Sequence, residues 1–321
     1  MSRPLRFVPE EYRNWTESYG QEIAVVEITI RTLLGMFFLT PTPQNRSLMV
    51  GVMAHVQQRL KFDIYGYAWL SNHGSYLVGV TGPKHQSAIM REIHGQLARE
   101  LGRPECSDWD GGFWGRRGRP ILVADAVDQI ERLTYCLANA TKEHLVTRPE
   151  RWPGAHAAKA LCGSMTDRGL WINRTKLDAL KRRAGSDAKR CLQDCTEHVT
   201  LRLSKLPCYA HLTDLEYQTQ MKAICRDISD DAAHDRRVNG LSVLGVKRLL
   251  RYSPQHVPKR MDKTPAPKVH SCCPEFRAQF NAAYRDFVDG YRKALHALNR
   301  GMLTPLFPQG GLPPGYSFEV G

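Results

Sequence analysis

Tyr135 and Asn139 stand four residues apart in "ERLTYCLANATKEHL" (131–145). On a helix that spacing places them one turn apart on one face. A phenol oxygen can act as a nucleophile, and an amide oxygen beside it can help fill the shell of a hard cation such as Mg²⁺ or Mn²⁺. Such an ion bridges phosphate oxygens, so the pair suits tyrosine attack on a phosphodiester, leaving a phosphotyrosine-linked strand. A second group lies in "SNHGSYLVGV" (71–80). Residues i and i+2 of a strand point the same way, so His73 and Ser75 share a face if the strand begins that early. Two histidines at this spacing would grip one metal; here Ser75 takes the second place. Each residue also has a plain reading. His73 could cap a turn, Tyr135 could be an ordinary tyrosine of an amphipathic helix, and Asn139 could face solvent.

The surrounding pattern must hold these residues in place. "EIAVVEITIRTL" (22–33) is rich in β-branched residues and reads as a strand. Residues 41–62 carry Leu48, Met49, Val52, Met53, Val56 and Leu60 at helical spacing, after Pro and Asn start signals. Residues 63–70 and 75–82 read as a strand pair with "SNHG" at the turn. Residues 84–102 put Ile89, Met90, Ile93, Leu97 and Leu101 on one helix face, and Gly102 is a C-terminal stop. "FWGRRGRPILVAD" (113–125) reads as a loop or hairpin, and 126–145 as a third amphipathic helix. The order β-α-β-β-α-β-α predicts an α+β domain, a ferredoxin-like antiparallel sheet with helices on one face, ending near residue 155.

The remainder differs in character. Residues 174–206 hold nine Lys/Arg against four Asp/Glu. Residues 241–254 read as a short helix that stops at Pro254, 255–271 as a proline- and lysine-rich linker, and 274–301 as a long amphipathic helix. Its aromatics at 276, 280, 284, 287 and 291 suit packing onto the domain better than base stacking. The tail "FPQGGLPPGYSF" reads as extended. The expected organisation is 1–155, a basic helical region 156–252, and 253–321 as linker, helix and tail. No internal repeat is evident.

The formal charge of +13 over 321 residues suggests a polyanionic partner, nucleic acid before an acidic membrane surface. Arg116, Arg117 and Arg119 lie among glycines that would let the loop approach a phosphate backbone closely. Lys181, Arg182 and Arg183 form either a solvated helix face or a backbone-binding one. No apolar run approaches a membrane span; the longest is "LLGMFFL" at 33–39. The first fifteen residues lack the apolar stretch of a signal peptide. Nine cysteines without a framework rhythm fit a reducing cytoplasm. Cys191, Cys195, His198, Cys208 and His211 do not follow a standard finger spacing, so zinc is not expected there.

Several segments, taken in order, resemble one family. "YAWLSNHGSYLVGV" is similar to the "LSNHxHLL" segment of the REP-associated tyrosine transposases, HUH-type enzymes that act on single-stranded DNA. "FWGRR" resembles their "FWxRR" element, and "ERLTYCLANATKEHLVTRPERWPG" their "YxxxNPVKxGLVxxxxxWP" helix. "VLGVKRLLRYSPQHVPKR" and the "FPxGxxPP" ending resemble the long forms with a C-terminal extension. The resemblance is most specific over 20–155 and loosest over 156–240. It implies Tyr135 as nucleophile, with His73 and Asn139 as metal ligands. The substrate would be single-stranded or hairpin DNA, and the cofactor a divalent metal, Mg²⁺ or Mn²⁺. Three departures stand out. Ser75 replaces the second histidine, Gly74 replaces the bulky residue between the pair, and "NATKEHLV" replaces "NPVKxGLV". A serine hydroxyl, or water held by it, would bind metal only weakly; even second-shell losses cost roughly 10–100-fold. The resemblance therefore implies either DNA cleavage and rejoining through Tyr135, or an inactive descendant kept for DNA binding or regulation.

Overall fold

The computed structural model describes residues 14–16, 21–103, 109–184, 188–258, 267–309, 311, 313 and 314. A short β1 (Asn14–Thr16) pairs with the start of β2 (Gln21–Arg31). There follow α1 (Pro43–Leu60), β3 (Ile64–Trp69), β4 (His73–Val80), α2 (Pro83–Leu101), β5 (Arg119–Val123) and α3 (Ala126–Lys142). The strands lie in the order β3-β4-β2-β5, all antiparallel. This is the ferredoxin-like βαββαβ arrangement, and the fold is α+β.

Local chemistry sets the ends of the helices. Thr42 accepts a hydrogen bond from the Asn45 amide at 3.1 Å, and Pro43 occupies the first turn, where no amide is needed. Asp125 caps α3 in the same way, accepting from the Asp128 amide at 3.0 Å. The "SNHG" stretch is shorter as a turn than expected, because His73 and Gly74 already belong to β4.

Alternation assigns the two faces of the sheet. Trp69 and Tyr76 point one way and meet α1 and α2. The Tyr76 hydroxyl lies 2.9 Å from His94 Nε2, and Trp69 Nε1 lies 3.4 Å from Met53 Sδ. Gly66, Ser75 and Glu27 point the other way, where α3 lies; a Cβ on Gly66 would stand 2.4 Å from Leu133 Cδ1. The two helices within the βαββαβ unit thus share one face, and the tyrosine-bearing helix crosses the other. Covering both faces explains why every residue of β3 is buried rather than every second one. It also explains Gly74: a Cβ there would stand 2.2 Å from the Trp69 ring, so no bulky residue fits.

The following region holds more than helix. It runs through α4 (Ala158–Leu161), β6 (Thr166–Ile172), α5 (Arg174–Ala184), α6 (Ala188–Asp194), β7 (Thr196–Arg202), α7 (Asp214–Asn239) and α8 (Val246–Leu249). β6 and β7 form a two-stranded ribbon laid on α1, absent from the helical expectation for 156–252. Gly51 and Gly169 make that approach possible, since a Cβ on Gly51 would fall 1.9 Å from the Leu170 carbonyl oxygen. α7 packs on α3 from outside, started by a capping box between Thr213 and Glu216. One buried cluster extends from Ile23 through Leu201, Met221 and Ile224 to Phe280, on both sides of residue 155.

The stretch expected as a linker contains β8 (Val269–His270), which joins the sheet parallel to β5. The sheet is therefore mixed at that edge, and residues 259–266 of that stretch lie outside the described residues. β8 leads into α9 (Pro274–Asn299), whose Phe280, Phe287 and Tyr291 are buried, as expected for a packing helix. The tail from 307 falls only partly within the described residues. Among the described residues no helix is long and apolar enough to cross a membrane.

Candidate nucleic-acid site around Tyr135

Tyr135 is 41% exposed on α3. Arg132 and Lys142 lie over its ring, at 5.1 and 5.3 Å from the centroid. Three and seven residues away, they share its helix face. Burial, then the charge of Glu27, raises the phenol above its ordinary value, and Arg132 opposes this. The hydroxyl is therefore protonated at neutral pH.

Below α3 lies Ser75, 2% exposed. Its hydroxyl donates to Glu27 Oε1 at 3.0 Å, and its carbonyl accepts from Cys136 Sγ at 3.4 Å. Glu27, 3% exposed, comes from the central strand β2. The other carboxylate oxygen lies 2.9 Å from Nε2 of His270, on β8. Burial, then Glu27, pushes the Cys136 thiol up, so it stays protonated.

His73 lies two residues from Ser75 on the same face, with Nδ1 2.7 Å from Asn72 Oδ1. Arg31 is its register partner on β2 and shares that face. Burial, then Arg31, lowers the imidazole to about 4, so His73 is neutral near pH 7. Arg31 in turn feels Arg116. Asn139 is buried one turn beyond Tyr135.

The divalent ion that the family resemblance implies can be tested against these residues. Alone, His73, Ser75 and Asn139 do not fit one. They include no carboxylate, the Ser75 hydroxyl is committed to Glu27, and a guanidinium stands opposite His73. Among the described residues, two clusters of three ligating side chains do occur, Glu150–Cys162–Cys225 and Asp125–Asp128–Cys272. Neither contains His73, Ser75 or Asn139. Cys191 and Cys195 instead fill a small apolar cluster with Leu177.

The arginine loop divides. Arg116 and Arg117 are exposed, whereas Arg119 donates to the Pro267 carbonyl at 3.1 Å and ties down the segment before β8. Lys181 and Arg182 are exposed on α5, and the Arg183 side chain lies outside the described residues. α5 extends from the ribbon on the α1 side of the sheet, so it is not brought to Tyr135. Glu27, Arg31, Arg132, Lys142 and His270 did not emerge from the spacing of motifs. Only the alternation of β2, with Glu27 and Arg31 four apart, marks two of them.

No protein-family model and no curated protein matches the chain. Among solved structures, a REP-associated tyrosine transposase bound to a REP hairpin is similar at 18% identity and a TM-score of 0.38. The match covers 49% of this chain and 82% of that one. The ferredoxin-like assignment rests on the strand order given above.

Proposed function

We propose that the protein binds single-stranded or hairpin DNA on the α3 side of its sheet and cleaves and rejoins it through Tyr135. The observation that carries this reading is the placement of Tyr135, a half-exposed phenol between two cations and above a buried carboxylate. Arg132 and Lys142 suit the oxygens of a phosphate beside the phenol, with Arg116 and Arg117 further along the backbone. In the reaction the tyrosine oxygen bonds to phosphorus while a sugar oxygen leaves and takes up a proton. The tyrosine proton passes to solvent water, since both oxygens of Glu27, the carboxylate whose charge acts most on the phenol, are already engaged, one by the Ser75 hydroxyl and one beside His270. The phosphotyrosine keeps the energy of the broken bond, so a second strand end can reverse the step without a nucleotide cofactor.

A second reading, DNA binding without cleavage, is favoured by one specific contact. The Ser75 hydroxyl, where the family resemblance implies a second histidine, is already bonded to Glu27. Incubation with a labelled hairpin oligonucleotide and Mn²⁺ separates the two. A denaturation-resistant adduct that disappears in Tyr135→Phe supports cleavage. Salt-sensitive binding without an adduct supports the second reading, and no binding to either DNA form refutes both.

A further inference from the structure

Glu27 and His270 are brought together from opposite ends of the sequence, on the central strand and on the added edge strand. Both are more than nine-tenths buried. His270 Nε2 lies 2.9 Å from Glu27 Oε2, an ion-pair distance, yet it makes no hydrogen bond among the described residues. A buried nitrogen left in this way is costly, roughly 1–3 kcal/mol. A close separation without a hydrogen bond is the relation between neighbouring ligands on one ion. Two donors at right angles, each about 2.1 Å from a metal, stand about 3 Å apart.

The surroundings hold both donors still. Ser75 fixes the other oxygen of Glu27. The Ala124 amide donates to the His270 carbonyl at 2.9 Å. The Ser271 hydroxyl and the Cys272 amide both donate to Asp125 Oδ2 at 3.0 Å, and Arg277 donates to the Ser271 carbonyl at 2.8 Å. His270 is thus pinned to the sheet edge and to the cap of the tyrosine helix. Such outer contacts are what orient metal ligands.

We propose that Glu27 Oε2 and His270 Nε2 are the protein ligands of a first-row divalent cation such as Mn²⁺, with Ser75 orienting the carboxylate. One carboxylate and one imidazole suit such an ion and leave positions for water or phosphate oxygen. In this chain the imidazole that position 75 lacks comes from the C-terminal extension. The role of the ion in DNA chemistry rests on the function proposed above; its binding does not, and is measured without DNA.

Mn²⁺ alone is titrated into the full chain and followed by electron paramagnetic resonance, with nitrogen modulation read by electron spin echo. One bound Mn²⁺ per chain with imidazole nitrogen modulation is expected. Glu27→Gln, which keeps the shape, weakens binding by roughly tenfold or more. His270→Gln removes the nitrogen modulation, while His73→Gln retains it. Absence of bound Mn²⁺ in the parent chain overturns the site without needing any variant. So does nitrogen modulation that survives His270→Gln and vanishes in His73→Gln. The adduct assay with Tyr135→Phe reports separately on DNA cleavage, so the two claims fail by different measurements.

Discussion

Replacing Arg132 and Lys142 together by alanine removes the two cations that flank the Tyr135 ring at 5.1 and 5.3 Å. If each neutralises one phosphate of a single strand, each contributes about −0.7 to the slope of log affinity against log salt. The double variant then loses about 1.4 of slope. Between roughly 50 and 200 mM salt, a fourfold change, two contacts account for about a 7-fold loss of affinity. The parent protein should show that loss on top of its other contacts, and the variant should lack it. Fluorescence anisotropy of a labelled hairpin across this salt range measures both slopes. Arg116→Ala with Arg117→Ala should remove a similar amount, because both side chains are exposed and the charge of Arg116 reaches Arg31, on the α3 side of the sheet. An unchanged slope in the Arg132/Lys142 variant, with DNA still bound, would refute the placement of the phosphate beside Tyr135.

Two further outcomes concern the scaffold. Gly51→Leu should lower the urea midpoint by an amount equivalent to about 1–3 kcal/mol or more, since its Cβ would meet the Leu170 carbonyl at 1.9 Å; an unchanged midpoint would mean that the ribbon does not rest on α1. Acidification should also destabilise the fold through His156, whose imidazole burial lowers to about 4. Its ring Nε2 lies 3.2 Å from the Leu137 carbonyl, and Nδ1 accepts from the Ala158 amide at 3.1 Å, so a second proton would break that bond. The unfolded chain binds this proton more readily, so the stabilisation is complete above about pH 6.5 and is lost as pH falls to about 4. The loss amounts to about 3 kcal/mol, and a His156→Gln variant should flatten it in urea titrations at several pH values.

The βαββαβ unit was legible because its strands and helices keep clean periods, and α3 begins and ends close to the expected positions. The placement of Tyr135 and Asn139 one turn apart on α3 was legible for the same reason, since that helix is strongly amphipathic. Glu27 was not, because one acid within "IAVVEITI" reads as a solvent-facing position when a sheet is assumed to be covered on one side. α3 covers that side, and the acid becomes a buried group with two close neighbours. His270 was hidden by its surroundings, a proline- and lysine-rich stretch in which two residues pair with β5. The ribbon escaped notice because "TDRGLWI" and "TEHVTLR" are polar, and their seat on α1 depends on the small size of Gly51 and Gly169, not on an apolar pattern.

The proposed attack of Tyr135 on DNA is tested most directly by mass spectrometry of the protein after incubation with a hairpin oligonucleotide and Mn²⁺. Nuclease trims the bound strand, and trypsin releases the peptide Leu133–Lys142, which contains Tyr135 as its one tyrosine. The account predicts that this peptide carries a nucleotide through Tyr135, and that Tyr135→Phe carries none. A nucleotide on another residue, or an unmodified peptide from a chain that binds the hairpin, would contradict it.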